Sequence, residues 1–186
     1  HEDFMKEKKY ISYGSCTVNA FSAFGQFINK NYGIKDADVN VVHNTPAYKL
    51  KNYNTLKKKI CTLEAIAPKL VSGIFKSNFL VNYTLVPYSG VSMIDFRFNL
   101  KRKILKKSFI NMLKNKIKKG ELKNLYGYVQ KDKDANFFKE SKFNCDFILE
   151  KTKIIKNNLY LFAYFDNENS VNRYYDLANY ISKKYL

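Results

Sequence analysis

The sequence is poor in the residues that usually announce a function. It holds three arginines among 33 basic residues, three cysteines, two histidines and three prolines in 186 positions. No apolar run approaches the roughly 20 residues that a membrane-crossing helix needs, so no membrane partner is expected. The opening HEDFMKEKKY lacks an apolar signal core and starts on His1 rather than Met, so the chain reads as part of a longer protein. Without Pro-, Gly- or Ser-rich linkers, residues 1–186 read as a single domain. The odd count of cysteines (Cys16, Cys61, Cys145), with no CxxC pair, argues against a disulfide framework and for a reducing, cytoplasmic compartment. Two histidines leave zinc too few ligands, so no metal is expected. No G-x-G-x-x-G is present, which excludes a dinucleotide-binding Rossmann unit from these residues.

The shortage of arginine also governs the reading of a net charge of +17. Arginine supplies the forked contacts that read bases and grip phosphates, and here only Arg97, Arg102 and Arg173 are available. Thirty lysines, 21 asparagines, 15 tyrosines and 15 phenylalanines look more like codon bias than a polyanion surface. No specific nucleic-acid partner is expected. The Lys57–Lys59 run and the lysine face of 106–119 read as solvated surface.

What is present is patterned. Residues 11–15 carry a short extended run ending at Gly14-Ser15. From Thr17 to Asn31, Val18, Phe21, Phe24, Phe27 and Ile28 recur at helical spacing, and Gly33 follows as a stop. Asp38–His43 alternates as a strand, Asn44–Lys59 reads as a loop, and Leu63–Phe75 has helical character blurred by Pro68 and Gly73. Strands are expected at 78–86, 91–100, 144–149 and 159–165, and helices at 106–119 and 171–184. Several strands with few intervening helices give an α+β domain.

Within this frame Cys16 sits where a glycine turn gives way to an amphipathic helix. Unpaired N–H groups and the positive end of the dipole favour a thiolate there, and with the Ser15 and Thr17 hydroxyls they suit an anion. His43 ends the next strand, 27 residues on. A strand packed antiparallel to the preceding helix returns it to Cys16, and a thiol beside an imidazole is the pattern of covalent catalysis. On spacing alone, a packed thiol and a satisfied polar histidine remain the alternative.

The segment SCTVNAFSAFGQFINKNYGIKDADVNVVHN (15–44) resembles the active-site segment of glyceraldehyde-3-phosphate dehydrogenases, marked by S-C-T-T-N and a histidine at this spacing. LVPYSGVSMIDFRFNL (85–100) is similar to that family's R-V-P-T-P-N-V-S-V-V-D-L, and YFDNENSVNRYYDL (164–177) to its W-Y-D-N-E-x-G-Y-S-N-R-V-x-D-L. HEDF resembles the segment before the active-site strand. The resemblance covers the family's C-terminal catalytic domain and implies a mostly antiparallel mixed sheet backed by helices. It implies Cys16 as nucleophile toward a sugar-phosphate aldehyde and His43 as base. It also implies Ser15, Thr17 and Thr62 at the attacking inorganic phosphate, and Asn167 at the nicotinamide of NAD, whose other contacts lie in the N-terminal domain. A homo-oligomer is implied for the full-length form.

The departures from that pattern are specific. Leu85 stands where the family has an arginine that grips the substrate phosphate, Pro46 and Tyr48 where threonines assist, and Leu63 where a glycine borders the attacking phosphate. The loop from His43 to Thr62 is short, and the tyrosine after D-N-E-x-G is missing. A charge-assisted hydrogen bond contributes about 1.5–3 kcal/mol, so the lost arginine alone weakens binding by roughly one to two decades. Lys49 and Lys51 offer point charges in its place. These losses keep a second reading open: a degenerate, non-catalytic relative acting as a binding module.

Overall fold

The computed structural model describes residues 12–46, 48, 57–88 and 90–185. The HEDF opening, Lys49 and Lys51 lie outside the described residues, as do the side chains of Lys57 and Lys58. The chain runs α1 (Cys16–Tyr32), β1 (Ile34–Asn44), β2 (Lys57–Lys58), α2 (Thr62–Leu70), β3 (Phe79–Val86) and β4 (Val91–Leu100). It continues with α3 (Lys106–Lys119), β5 (Gly127–Val129), β6 (Asp146–Ile148), β7 (Lys153–Ile155), β8 (Asn158–Asp166) and α4 (Asn169–Tyr185). The strands form one sheet ordered β2-β3-β1-β4-β8-β6-β5, with β7 pairing the start of β8. Only β1–β3 and β5–β6 run parallel, so the expected α+β, mostly antiparallel mixed sheet is what is found.

Side-chain alternation decides the two faces of this sheet. In β1, Ala37, Val39 and Val41 are buried; they pair with Phe98, Phe96 and Ile94 of β4, which pair in turn with Leu159, Leu161 and Ala163 of β8. On that face α1 lays Phe21, Phe24 and Ile28, all fully buried. Phe24 packs within 6.1 Å, ring to ring, of Phe27, Phe96, Phe98, Tyr126 and Phe147. Burying one such side chain stabilises by about 1.5–3 kcal/mol, which explains why the 3.6-residue repeat of 17–31 became a helix. The opposite face carries polar pairs: Arg97 donates to Asp38, to Asp36 at 2.7 Å and to Asn158 at 2.8 Å. Arg102 and Arg173 also donate to backbone carbonyls within the domain.

The differences from expectation follow from element length. The extended run at 11–15 forms no strand in its described part, Ser12–Ser15. Gly14 instead takes φ 79° where a Cβ would meet Val18 at 2.8 Å, so glycine is needed to lead into α1. Helix α2 tolerates Pro68 near its C-terminal end and stops at Leu70. β2, β5 and β7, two or three residues each, were not foreseen because so short a run carries no period.

Candidate active site

Cys16 is the first residue of α1. Ser15 caps the helix in an extended conformation, its Oγ accepting from the Val18 N–H at 3.4 Å. The thiol therefore sits in the first turn, among backbone N–H groups that have no intrahelical acceptor. His43 lies one residue from the end of β1, on the same alternate set as Val39 and Val41, and so projects toward the α1 side of the sheet. Strand and helix run back on each other, and the Cys16 Sγ lies 3.3 Å from the His43 Nε2. The other ring nitrogen, Nδ1, is 3.5 Å from the Thr45 Oγ1, and the ring lies between Tyr83 and Phe165, with centroids at 5.5 and 6.0 Å.

Burial sets the charge state of this pair. It pushes the Cys16 thiol above its ordinary value; hydrogen bonds from the side chain and backbone of Thr17 oppose this, and the Glu168 carboxylate reinforces it. Burial also pulls His43 below its ordinary value, against a hydrogen bond with the Asn44 backbone and together with repulsion from Lys59. Burial thus disfavours the charged form of both members of the pair. Burial opposes the thiolate bias expected from the helix N-terminus, because taking a sulfur anion out of water is costly. An imidazole nitrogen within reach of the sulfur is the arrangement a general base needs, since the proton can move as the sulfur attacks.

The three expected hydroxyls are not equivalent. The Ser15 Oγ and the Thr62 Oγ1 are 3.4 Å apart, so the first turns of α1 and α2 meet side by side. Thr62 is open to solvent and Ser15 partly so, whereas Thr17 is buried, with its Oγ1 at 3.9 Å from the Cys16 Sγ. Thr17, expected at the attacking phosphate, is buried with its hydroxyl toward the sulfur. Leu63 is fully buried in the core, so its replacement of a glycine adds packing without filling the cleft.

A cavity of about 660 Å³ opens beside the pair, lined on one side by Cys16, His43 and Pro46 and on the other by Asn167 and Glu168. Ser15, Thr17 and Thr62 are not in its lining. Asn167 accepts from the Ser92 hydroxyl and donates to the Asn44 carbonyl at 2.8 Å. One lone pair and one proton of its amide remain, which fits a single carboxamide contact with a nicotinamide. Leu85 pairs with His43 across the parallel β1–β3 ladder and is only 8% exposed, so the position of the expected arginine is filled by a packed side chain. Tyr48 is exposed. Among the described residues no three His, Cys, Asp or Glu side chains cluster to hold a metal, and no helix is long and apolar enough to cross a membrane.

Several residues at the site escaped the sequence reading. Thr45 orients His43, while Tyr83 and Phe165 pack their tilted rings beside it. Ser92 and Asn44 fix Asn167, and Asp166 accepts from the N–H groups of Glu140 and Glu168, both at 2.8 Å. Their positions depend on strand register; only Thr45, two residues beyond His43, carried a local signal.

The fold and the cleft together define a dehydrogenase-like α+β domain that brings a thiol and an imidazole into contact. The profile of the glyceraldehyde 3-phosphate dehydrogenase C-terminal domain matches residues 15–167, and the chain belongs to that family. It is similar to glyceraldehyde-3-phosphate dehydrogenase 1 of Giardia intestinalis, 28% identical over 198 residues that cover 95% of this chain and 56% of the relative. It is also similar to the cytosolic glyceraldehyde-3-phosphate dehydrogenase of Chlamydomonas reinhardtii (26% identical; 99% and 58% covered). A third relative is the glyceraldehyde-3-phosphate dehydrogenase of Ogataea parapolymorpha (23% identical; 98% and 59% covered). The chain thus spans somewhat over half the length of these relatives, and their names mark an oxidoreductase family.

Proposed function

We propose that this chain is the catalytic domain of an NAD-dependent, phosphorylating aldehyde dehydrogenase acting on a sugar-phosphate aldehyde of the glyceraldehyde-3-phosphate or erythrose-4-phosphate type. The observation that carries this reading is the 3.3 Å contact between the Cys16 Sγ and the His43 Nε2 at a helix N-terminus. Cys16 attacks the aldehyde carbon while His43 takes the thiol proton, giving a thiohemiacetal on sulfur. The first-turn N–H groups of α1 face the oxygen that becomes negative. NAD, when bound, supplies the hydride acceptor, with Asn167 holding its carboxamide. An acyl group carried on Cys16 as a thioester is then open to inorganic phosphate beside Ser15 and Thr62, where two helix N-termini favour an anion. The protein works in the cytoplasm, as a homo-oligomer in its full-length form.

Cysteine alkylation against pH, assigned by mass spectrometry in the protein and in His43→Asn, tests the reading. Cys16 reacts fastest of the three thiols and slows without His43; buried Cys61 and Cys145 serve as references. If Cys16 reacts no faster than Cys145, catalysis is dropped. The second reading, a non-catalytic binding module, then stands. It is favoured by the packed Leu85 and by a cavity whose described lining has three carboxylates (Glu140, Asp166, Glu168) against one lysine, Lys139.

A further inference from the structure

We infer that Asn169 is a positioning residue that sets the Cys16 backbone, and through it the sulfur, against His43; this rests on the catalytic reading of that pair. Asn169 is the first residue of α4 and has no solvent exposure. Its Nδ2 donates to two backbone carbonyls, that of Cys16 at 3.2 Å and that of Asn144 at 2.7 Å. Asn144 is itself held, its N–H donating to the Leu125 carbonyl at 2.8 Å. One amide group therefore ties the first turn of α1 to the loop before β6 and to the turn that carries Asn167 and Glu168.

The same turn contains the second tie. The Asp166 carboxylate accepts from the Glu140 N–H at 2.8 Å and from the Glu168 N–H at 2.8 Å. Asp166 thus fixes one wall of the cavity and Asn169 fixes the residue that bears the sulfur. The Cys16 carbonyl lies in the first turn of α1, where a carbonyl already accepts from the N–H four residues on, so Asn169 takes its second lone pair and ties that turn to the chain after β8. A contact of 3.3 Å between sulfur and nitrogen is lost by a displacement of about 1 Å, the scale on which catalytic geometry fails.

The test is a double-mutant cycle read as the alkylation rate of Cys16 with iodoacetamide at pH 7. His43→Asn is made in the native protein and in Asn169→Ala. If Asn169 positions the sulfur, His43→Asn slows Cys16 by about 10²-fold in the native background and by less than about threefold in Asn169→Ala. An equal effect of His43→Asn in both backgrounds overturns the inference and leaves the catalytic reading intact. No effect in the native background overturns the catalytic reading itself. Cys145, fully buried, reports on folding, because it must stay unreactive throughout. If Asn169→Ala exposes Cys145, the cycle is repeated with Asn169→Ser, whose shorter side chain keeps a donor without spanning both carbonyls, and the same two ratios decide.

Discussion

The two sides of the cleft differ in what they have kept. On the α1 side, Ser15, Cys16, Thr17 and His43 stand as in the family, and the thiol meets the imidazole at 3.3 Å. On the β3 side, a leucine fills the place of the arginine, Pro46 lines the cavity, and Tyr48 is exposed. In the proposed reaction the first side serves bond making, which requires particular atoms at particular separations. The second would serve affinity for a phosphate group, where loss of one contact weakens binding without abolishing chemistry. A chain can lose the second and keep the first.

The comparison can be broken most severely from below. Phe24→Ala, under α1, should cost about 3–5 kcal/mol in urea unfolding, and a loss under about 1 kcal/mol would mean that the aromatic cluster does not support the α1 side. Next comes His43→Asn, expected to slow Cys16 alkylation at pH 7 about 10²-fold while Cys145 stays unreactive. Leu85→Arg sharpens the other side: affinity for a sugar phosphate, by calorimetry, should rise roughly ten- to a hundredfold. Unchanged affinity would show that β3 no longer faces the substrate. Ser15→Ala removes the α1 cap and its contact with Thr62, which should cost about 1 kcal/mol in the same unfolding experiment.

The smallest effect is one of pH. His43 sits below its ordinary value in the folded protein, so on acidification the unfolded chain takes up a proton first. The stability this contributes is present above about pH 6.5 and is lost as pH falls toward the folded-state value. His43→Asn should flatten that slope just below pH 6.5 in thermal melts. A slope unchanged by the substitution would assign it to other groups.

The long elements were legible because each carries enough periods to bury one face. α3 falls on residues 106–119 as expected, and α1, β3, β4 and β8 lie within a residue or two. Proline blurred α2, and two- or three-residue strands left no pattern. The Cys16–His43 pair was legible through a helix followed by an antiparallel strand, which fixes where the chain returns. Asn169 was not, since nothing local distinguishes a surface asparagine at a helix start from one buried against another helix.

The sequence by itself determined the family, the α+β class, the helix that presents Cys16 and the strand that presents His43. Period and turn chemistry are local properties, and a shared motif persists where chemistry constrains it. Only the tertiary structure decided the burial that weighs against charge on the pair, the burial of Thr17, the packed Leu85 and the tie from Asn169 to Cys16. Each of these depends on burial and register between segments distant in the chain, and desolvation has no signature in a list of residues.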